Sequence, residues 1–220
     1  MSLIIFIDGP PGSGKSSVAS ALDGALPSAR LYLEMDPNHP LHPAKVGDVG
    51  ADFSNLEFES IELLIESLLQ KWETFLNGLG AFQDEIVILE SYPFQSHLRV
   101  LWQLGATKAE LANFQSRLKA TFGSVDSLLV FLEFDRYEDV LPGIFSSRGA
   151  DWVTFIEGFF ESAPVGAELK SRGCASASDY LQTYASELKG WYDAWELSKL
   201  TLTAWGRPTA DQVARIIGEL

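Results

Sequence analysis

Gly9-Pro10-Pro11-Gly12-Ser13-Gly14-Lys15-Ser16 follows the apolar run Leu3 to Ile7, which closes at Asp8. The run has the length of a strand, and Ser16, Ser17, Ala19, Ser20 and Ala21 with Val18 and Leu22 read as a helix that starts inside the glycine loop. Strand, loop and helix thus stand in the order that builds an anion cradle. Glycines at 9, 12 and 14 let the chain turn tightly and point successive N–H groups inward, where the positive helix end adds to their pull on phosphate oxygens. The run satisfies G-x-x-x-x-G-K-[ST] throughout, so Gly9, Pro10, Pro11, Gly12, Ser13, Gly14, Lys15, Ser16 and Ser17 are the expected binding residues for ATP with Mg2+. Lys15 is expected to reach the β and γ phosphates, and Ser16 to hold the magnesium.

Outside the loop, length and composition narrow the possibilities. The 220 residues can bury a full core, and no Pro/Gly/Ser-rich linker divides them, so one domain over 1–220 is expected. A formal charge of −14 argues against nucleic acid or an anionic membrane as partner, because such surfaces are held by basic patches. A small anionic ligand needs only local donors. Cys174 is the only cysteine, which excludes an intramolecular disulfide and a cysteine metal cluster and fits a cytoplasmic setting. Leu3 to Ile7 is too short for a signal-sequence core and lacks preceding basic residues. Oligomeric state is not readable, and a homodimer stays open.

Further strands are expected at Arg30–Glu34, Glu85–Ser91, Ser127–Phe134 and Lys199–Ala204. Helices are expected at Leu56–Leu76, about 94–104, 107–122, 178–198 and Thr209–Ile217, with a charged and aromatic region over 135–162. Helices separate the strands, so the chain reads as an α/β three-layer sandwich around a mainly parallel five-stranded sheet, with 135–165 as a lid region. In such a sheet ligands sit at the carboxyl ends of the strands. That rule selects Asp8, Glu34 with Asp36, Glu90 with Ser91, and Asp135 with Arg136.

Each rim group has a chemical use. Glu90 is placed to hold a metal-bound water or to orient Ser16, which makes Ser16 and Glu90 the expected magnesium residues. Glu34 and Asp36 are candidates for the base that accepts a hydroxyl proton; Asp36 before Pro37 also suits a turn cap, which favours Glu34. Arg148 is a candidate for closing over the phosphates, with Arg99 and Arg136 as competitors for the task. His39 and His42 have a zinc-like spacing, but no third ligand stands near them, and a loop role is expected. His97 is expected on a helix surface. Phe53, Phe58, Trp72, Tyr92 and Phe94 are expected near the acceptor, with Gln70 or Gln95 reading a base edge.

With these residues in place, the chain resembles the P-loop nucleoside and nucleotide kinases. The resemblance to deoxynucleoside kinases implies Glu34 as base and an acid-Arg-Ser triplet after the third strand. Here that triplet reads Glu90-Ser91-Tyr92, so the acid matches and the arginine does not. Glu34 to His42, Glu90 to Gln95, and Arg148 to Trp152 with Phe155, Ile156 and Ser162-Ala163-Pro164 carry a closer similarity to a thymidylate-kinase-like P-loop group, which implies a kinase-like fold and ATP binding. A GTPase is disfavoured, since there is no Asn-Lys-x-Asp segment and no Asp-x-x-Gly after an apolar strand. The expected activity is ATP-dependent phosphoryl transfer to a small molecule such as a nucleoside, nucleotide or other hydroxylated metabolite. The alternative is a regulator that binds ATP without transferring its phosphate.

Overall fold

A computed structural model describes residues 2–42, 60–80, 85–123, 125–204 and 208–220. Its strands are β1 (Leu3–Asp8), β2 (Arg30–Tyr32), β3 (Ile86–Glu90), β4 (Asp126–Glu133) and β5 (Lys199–Thr203). They form one all-parallel sheet in the order β2-β3-β1-β4-β5. The chain leaves central β1 toward β2 at one edge and later returns past it to β4, so the crevice at the carboxyl end of β1 is where such a sheet takes its ligand.

The helices are α1 (Lys15–Ala25), α2 (Ile61–Gly80), α3 (Arg99–Gln103), α4 (Lys108–Phe122), α5 (Tyr137–Arg148), α6 (Ala150–Ser162), α7 (Pro164–Ser171), α8 (Ala177–Asp193) and α9 (Ala210–Gly218). A π turn at Phe94–Leu98 runs straight into α3. Local chemistry sets several of the starts. Thr107 with Glu110 and Thr209 with Gln212 form reciprocal capping boxes on α4 and α9, Ser176 caps α8, and Pro164 opens α7, where a missing N–H costs nothing.

Residues 4–7 of β1 are buried on both faces of the sheet, as a continuous apolar strand requires. Ile4 and Phe6 face the larger core, with residues of α2, α3, α4 and α6–α8; Ile5 and Ile7 face a smaller core with Val18 and Leu22 of α1 and Ile216 of α9. The three layers of the expected sandwich are therefore present. Trp72, fully buried, meets Phe6 and Phe122 edge-on at 5.9 and 5.7 Å between ring centres.

Two expectations are corrected in this core. Trp72, Tyr92 and Phe94 are at most 1% exposed and pack within it, so they form no acceptor wall; Phe53 and Phe58 lie outside the described residues. His97 is fully buried, its Nδ1 accepting from Trp72 Nε1 at 3.0 Å and its Nε2 lying 2.8 Å from the carbonyl of Leu41. One ring nitrogen accepts and the other donates, so a neutral imidazole joins α2, the 33–42 loop and the π turn. The π turn rotates His97 inward, off the face that an uninterrupted helix would give it.

Among the described residues no helix is long and apolar enough to cross a membrane.

Candidate functional site

The glycine loop is built as its sequence demands. Ser13 N donates to Pro10 O at 3.1 Å, closing a tight turn, and Gly14 stands as the α1 N-cap at φ 90. Two loop glycines are also required by their neighbours. A Cβ on Gly12, at φ 84, would lie 2.4 Å from Ile144 Cδ1, and one on Gly9 would lie 2.5 Å from Leu132 O. No side chain caps α1, so its first-turn N–H groups are left for an external acceptor. Ser13 Oγ, buried beside Gly9, has no hydrogen-bond partner among the described residues. Tyr137 of α5 braces the loop from outside, its hydroxyl donating to Pro11 O at 2.9 Å.

Lys15 is buried, and its Nζ donates to Gly9 O at 2.9 Å and Pro10 O at 3.3 Å. Burial lowers its pKa, Glu34, Asp8 and Glu90 pull it back up, and Arg148 pushes it down. Asp8 and Glu90 stand at the ends of β1 and β3, Glu34 follows β2, and Arg148 closes α5.

Hydrogen bonds link the same acids. Ser16 Oγ donates to Glu90 Oε1 at 2.5 Å, and Glu90 Oε2 accepts from Glu34 N at 3.0 Å. Glu34 Oε2 in turn accepts from Ser91 Oγ at 2.9 Å and Gln95 Nε2 at 2.8 Å. Asp8 is fully buried at the end of β1: Oδ1 accepts from Gly9 N at 2.8 Å, and Oδ2 from Phe94 N and Gln95 N at 3.0 and 3.3 Å. Burial outweighs these bonds and Lys15, and pushes the Asp8 carboxyl up to about 7. Residues 8, 16, 34, 90, 91 and 95 thus form one connected network.

The remaining candidates separate. Asp36 Oδ1 accepts from Asn38 N at 2.9 Å, the turn-capping role its place before Pro37 suggests. Arg136 is two-thirds exposed and pairs with Glu138 and Asp139 in the first turn of α5. Arg99 bonds Gln95 O at 2.7 Å and lies over the Phe159 ring at 5.7 Å, which makes it a brace between the π turn and α6. Arg148 is exposed, with its guanidinium 5.8 Å from the Trp152 ring centre. His39 is buried and stacked on Tyr92 at 4.1 Å, its Nδ1 accepting from Leu41 N. Among the described residues no group of three histidine, cysteine or acidic side chains is placed to hold a metal ion.

Sequence reading missed the anchoring part of Asp8 and the clamp of Ser91 and Gln95 on Glu34. One signal was available for Ser91, which stands where the resemblance places an arginine.

No protein-family model matches the chain, and no curated protein matches it in sequence. Among solved structures it is similar to the Bacillus subtilis protein YorR, solved in complex with phosphorylated GDP, at 16% identity over 99% of this chain and 94% of that one, TM-score 0.51. It is also similar to deoxyadenosine kinase from M. mycoides with bound dATP, at 12% identity over 100% and 98% of the two chains, TM-score 0.50. The fold is that of the P-loop nucleotide and nucleoside kinases.

Proposed function

We propose that this chain is an ATP-dependent small-molecule kinase, acting as one domain, that transfers the γ-phosphate to a nucleoside, nucleotide or other hydroxylated metabolite. The observation that carries this reading is the hydrogen-bonded path Ser16–Glu90–Glu34 beside Lys15, which joins a phosphate loop to a carboxylate on the opposite bank of one crevice. The ligands named for the two structural neighbours, phosphorylated GDP and dATP, support a nucleotide at the loop.

Each residue then has a task. The N–H groups of the loop and of the first turn of α1 hold the phosphate chain, and Lys15 leaves the carbonyls of Gly9 and Pro10 for the β and γ oxygens. The oxygen donors Ser16 and Glu90, 2.5 Å apart beside this cradle, fit a hard cation. Magnesium held there would neutralise charge on the phosphates. Glu34 accepts the proton of the acceptor hydroxyl as that oxygen bonds to the γ phosphorus; the bond to the β–γ bridging oxygen breaks, and ADP leaves with the electron pair. Where the acceptor is already a phosphate, Glu34 only orients it. Arg148, on the lid formed by α5 and α6, adds positive charge as the transition state spreads negative charge over the phosphoryl oxygens.

The test is ADP release from MgATP across a panel of nucleosides, nucleoside monophosphates and hydroxylated metabolites, with Lys15→Ala as blank. Acceptor-dependent release by the parent alone supports the kinase and names its substrate class. Tight ATP binding with no release for any acceptor overturns it in favour of an ATP-binding regulator.

A further inference from the structure

We propose that Ser91 is a positioning residue: with Gln95 it clamps one oxygen of Glu34, so that the other is presented to the acceptor. The inference rests on the kinase reading above and assigns a task to a residue that the motif-based reading leaves without one.

Ser91 is the one non-glycine residue with positive φ among the described residues, at 67°, a conformation that costs an L side chain free energy and that glycine adopts freely. The turn itself explains the conformation. Ser91 N still donates to Ile7 O at 2.9 Å, in register with β1, while Ser91 O accepts from Ser96 N at 2.9 Å, so the chain must reverse at this residue. Glycine would serve that reversal with less strain. Serine adds a hydroxyl, and the hydroxyl has one hydrogen bond among the described residues, to Glu34 Oε2 at 2.9 Å. Strain tolerated at a residue whose side chain touches a reactive group points to function more than to folding.

The clamp is specific to one oxygen. Ser91 Oγ and Gln95 Nε2 both donate to Oε2, whereas Oε1 accepts no hydrogen bond from a described residue. Two donors on one oxygen of a carboxylate fix the rotation of the whole group, because the second oxygen must then occupy the remaining corner of the plane. Both donors are neutral, so they orient Glu34 without adding a counter-charge as an arginine at position 91 would. The clamp is also rigidly mounted. Asp8 holds the N–H groups of Phe94 and Gln95 with one oxygen and that of Gly9 with the other, which ties the turn bearing the clamp to the start of the phosphate loop. Base and phosphate loop therefore share one mounting, and an error of even 1 Å in such an arrangement can cost about a hundredfold in rate.

Ser91→Gly and Ser91→Ala test this, because they move stability in opposite directions while both delete the hydroxyl. Ser91→Gly relieves the left-handed strain and Ser91→Ala keeps it, so the thermal midpoint of the first should equal or exceed that of the parent and lie above that of the second. For positioning, kcat of acceptor-dependent ADP release should fall at least about tenfold in both variants, with KM for MgATP within about twofold of the parent. A parental kcat in Ser91→Gly, or activities that follow the thermal midpoints, would overturn the clamp while leaving the kinase reading intact. A parent that releases no ADP with any acceptor on the panel overturns both.

Discussion

The proposed phosphate side and the proposed acceptor side of this crevice are built on opposite principles. The phosphate side is one continuous run, Gly9 to Ser17, whose donors are mostly backbone N–H groups and whose shape follows from glycine φ values and a helix start. The acceptor side is assembled from side chains at the ends of β1, β2 and β3, with Glu34 bonded to partners 57 and 61 residues away in sequence. A backbone-built site tolerates a change of neighbours, because the main chain supplies the donors. One made of side chains has no such reserve, and its geometry fails when one member is removed.

The largest effect should come from the one side chain the phosphate side cannot replace. Lys15→Ala is expected to lower ADP release by roughly a thousandfold, since no other buried cation among the described residues faces the loop. Its unfolding midpoint should stay level or rise, because burial already penalises the ammonium group. A folded variant with parental turnover would remove the phosphate side from the comparison.

On the acceptor side, Glu34→Gln should slow transfer by about a hundredfold or more while ATP affinity changes little. Asp36→Asn should leave the rate nearly unchanged, because Asp36 is engaged in a turn with Asn38. Steady-state kinetics of the two variants decide between the carboxylates, and a reversed order would move the base to Asp36.

The arginines sharpen the contrast at smaller amplitude. Arg148→Ala should lower kcat by about tenfold, since its charge is felt at Lys15 and it would act only in the transition state. Arg136→Ala should change neither kcat nor stability measurably, because an exposed pair with Glu138 contributes little. Equal losses in the two variants would show that Arg148 is acting as a general surface charge.

Stability against pH, which leaves the chemistry untouched, also divides by region. Burial lowers His39 and His97, beside the acceptor side, to about 3 from 6.5. The unfolded chain binds their protons below about pH 6.5 and the folded chain does not, so each removes roughly 1.4 kcal/mol per unit as pH falls from 6.5 toward 3. Asp8 has the opposite sign: raised from 3.8 to about 7, it keeps a proton that the unfolded chain has lost, so its contribution declines as pH rises across that window. Two groups against one leave a net rise of about 1.4 kcal/mol per unit between about pH 4.5 and 6.5. Denaturant unfolding at the two limits checks this. His97→Gln should flatten the slope, and an unchanged slope would mean that the histidine protonates without unfolding the chain.

The strands and the helices outside 135–171 were legible to within about five residues, whereas α5, α6 and α7 lie in a stretch where no helix was expected. β4 is expected at Ser127–Phe134 and found at Asp126–Glu133, and α9 is expected at Thr209–Ile217 and found at Ala210–Gly218. Long amphipathic or fully apolar runs carry their own period, so their burial is written locally. The aromatics show where such reading stops. Trp72, Tyr92 and Phe94 have the composition of a ligand wall and the position of a core, because the same apolar area serves either use and only packing across the sheet distinguishes them. His97 was missed for a related reason: it lies in a π turn, which the 3.6-residue helical period does not record.

The glycine loop, most of the alternation of strands and helices, and the rim on which Glu34 and Glu90 stand were readable from local sequence, since each depends on neighbours within one turn or one strand. Asp36 is engaged by Asn38 and Arg136 by Glu138, close by in the chain. Long-range packing alone joins Asp8 to the 91–95 turn and sets Ser91 and Gln95 on Glu34. Those relations depend on strands far apart in the chain lying side by side, and a spacing of 57 residues becomes a 2.9 Å hydrogen bond only after the sheet has formed.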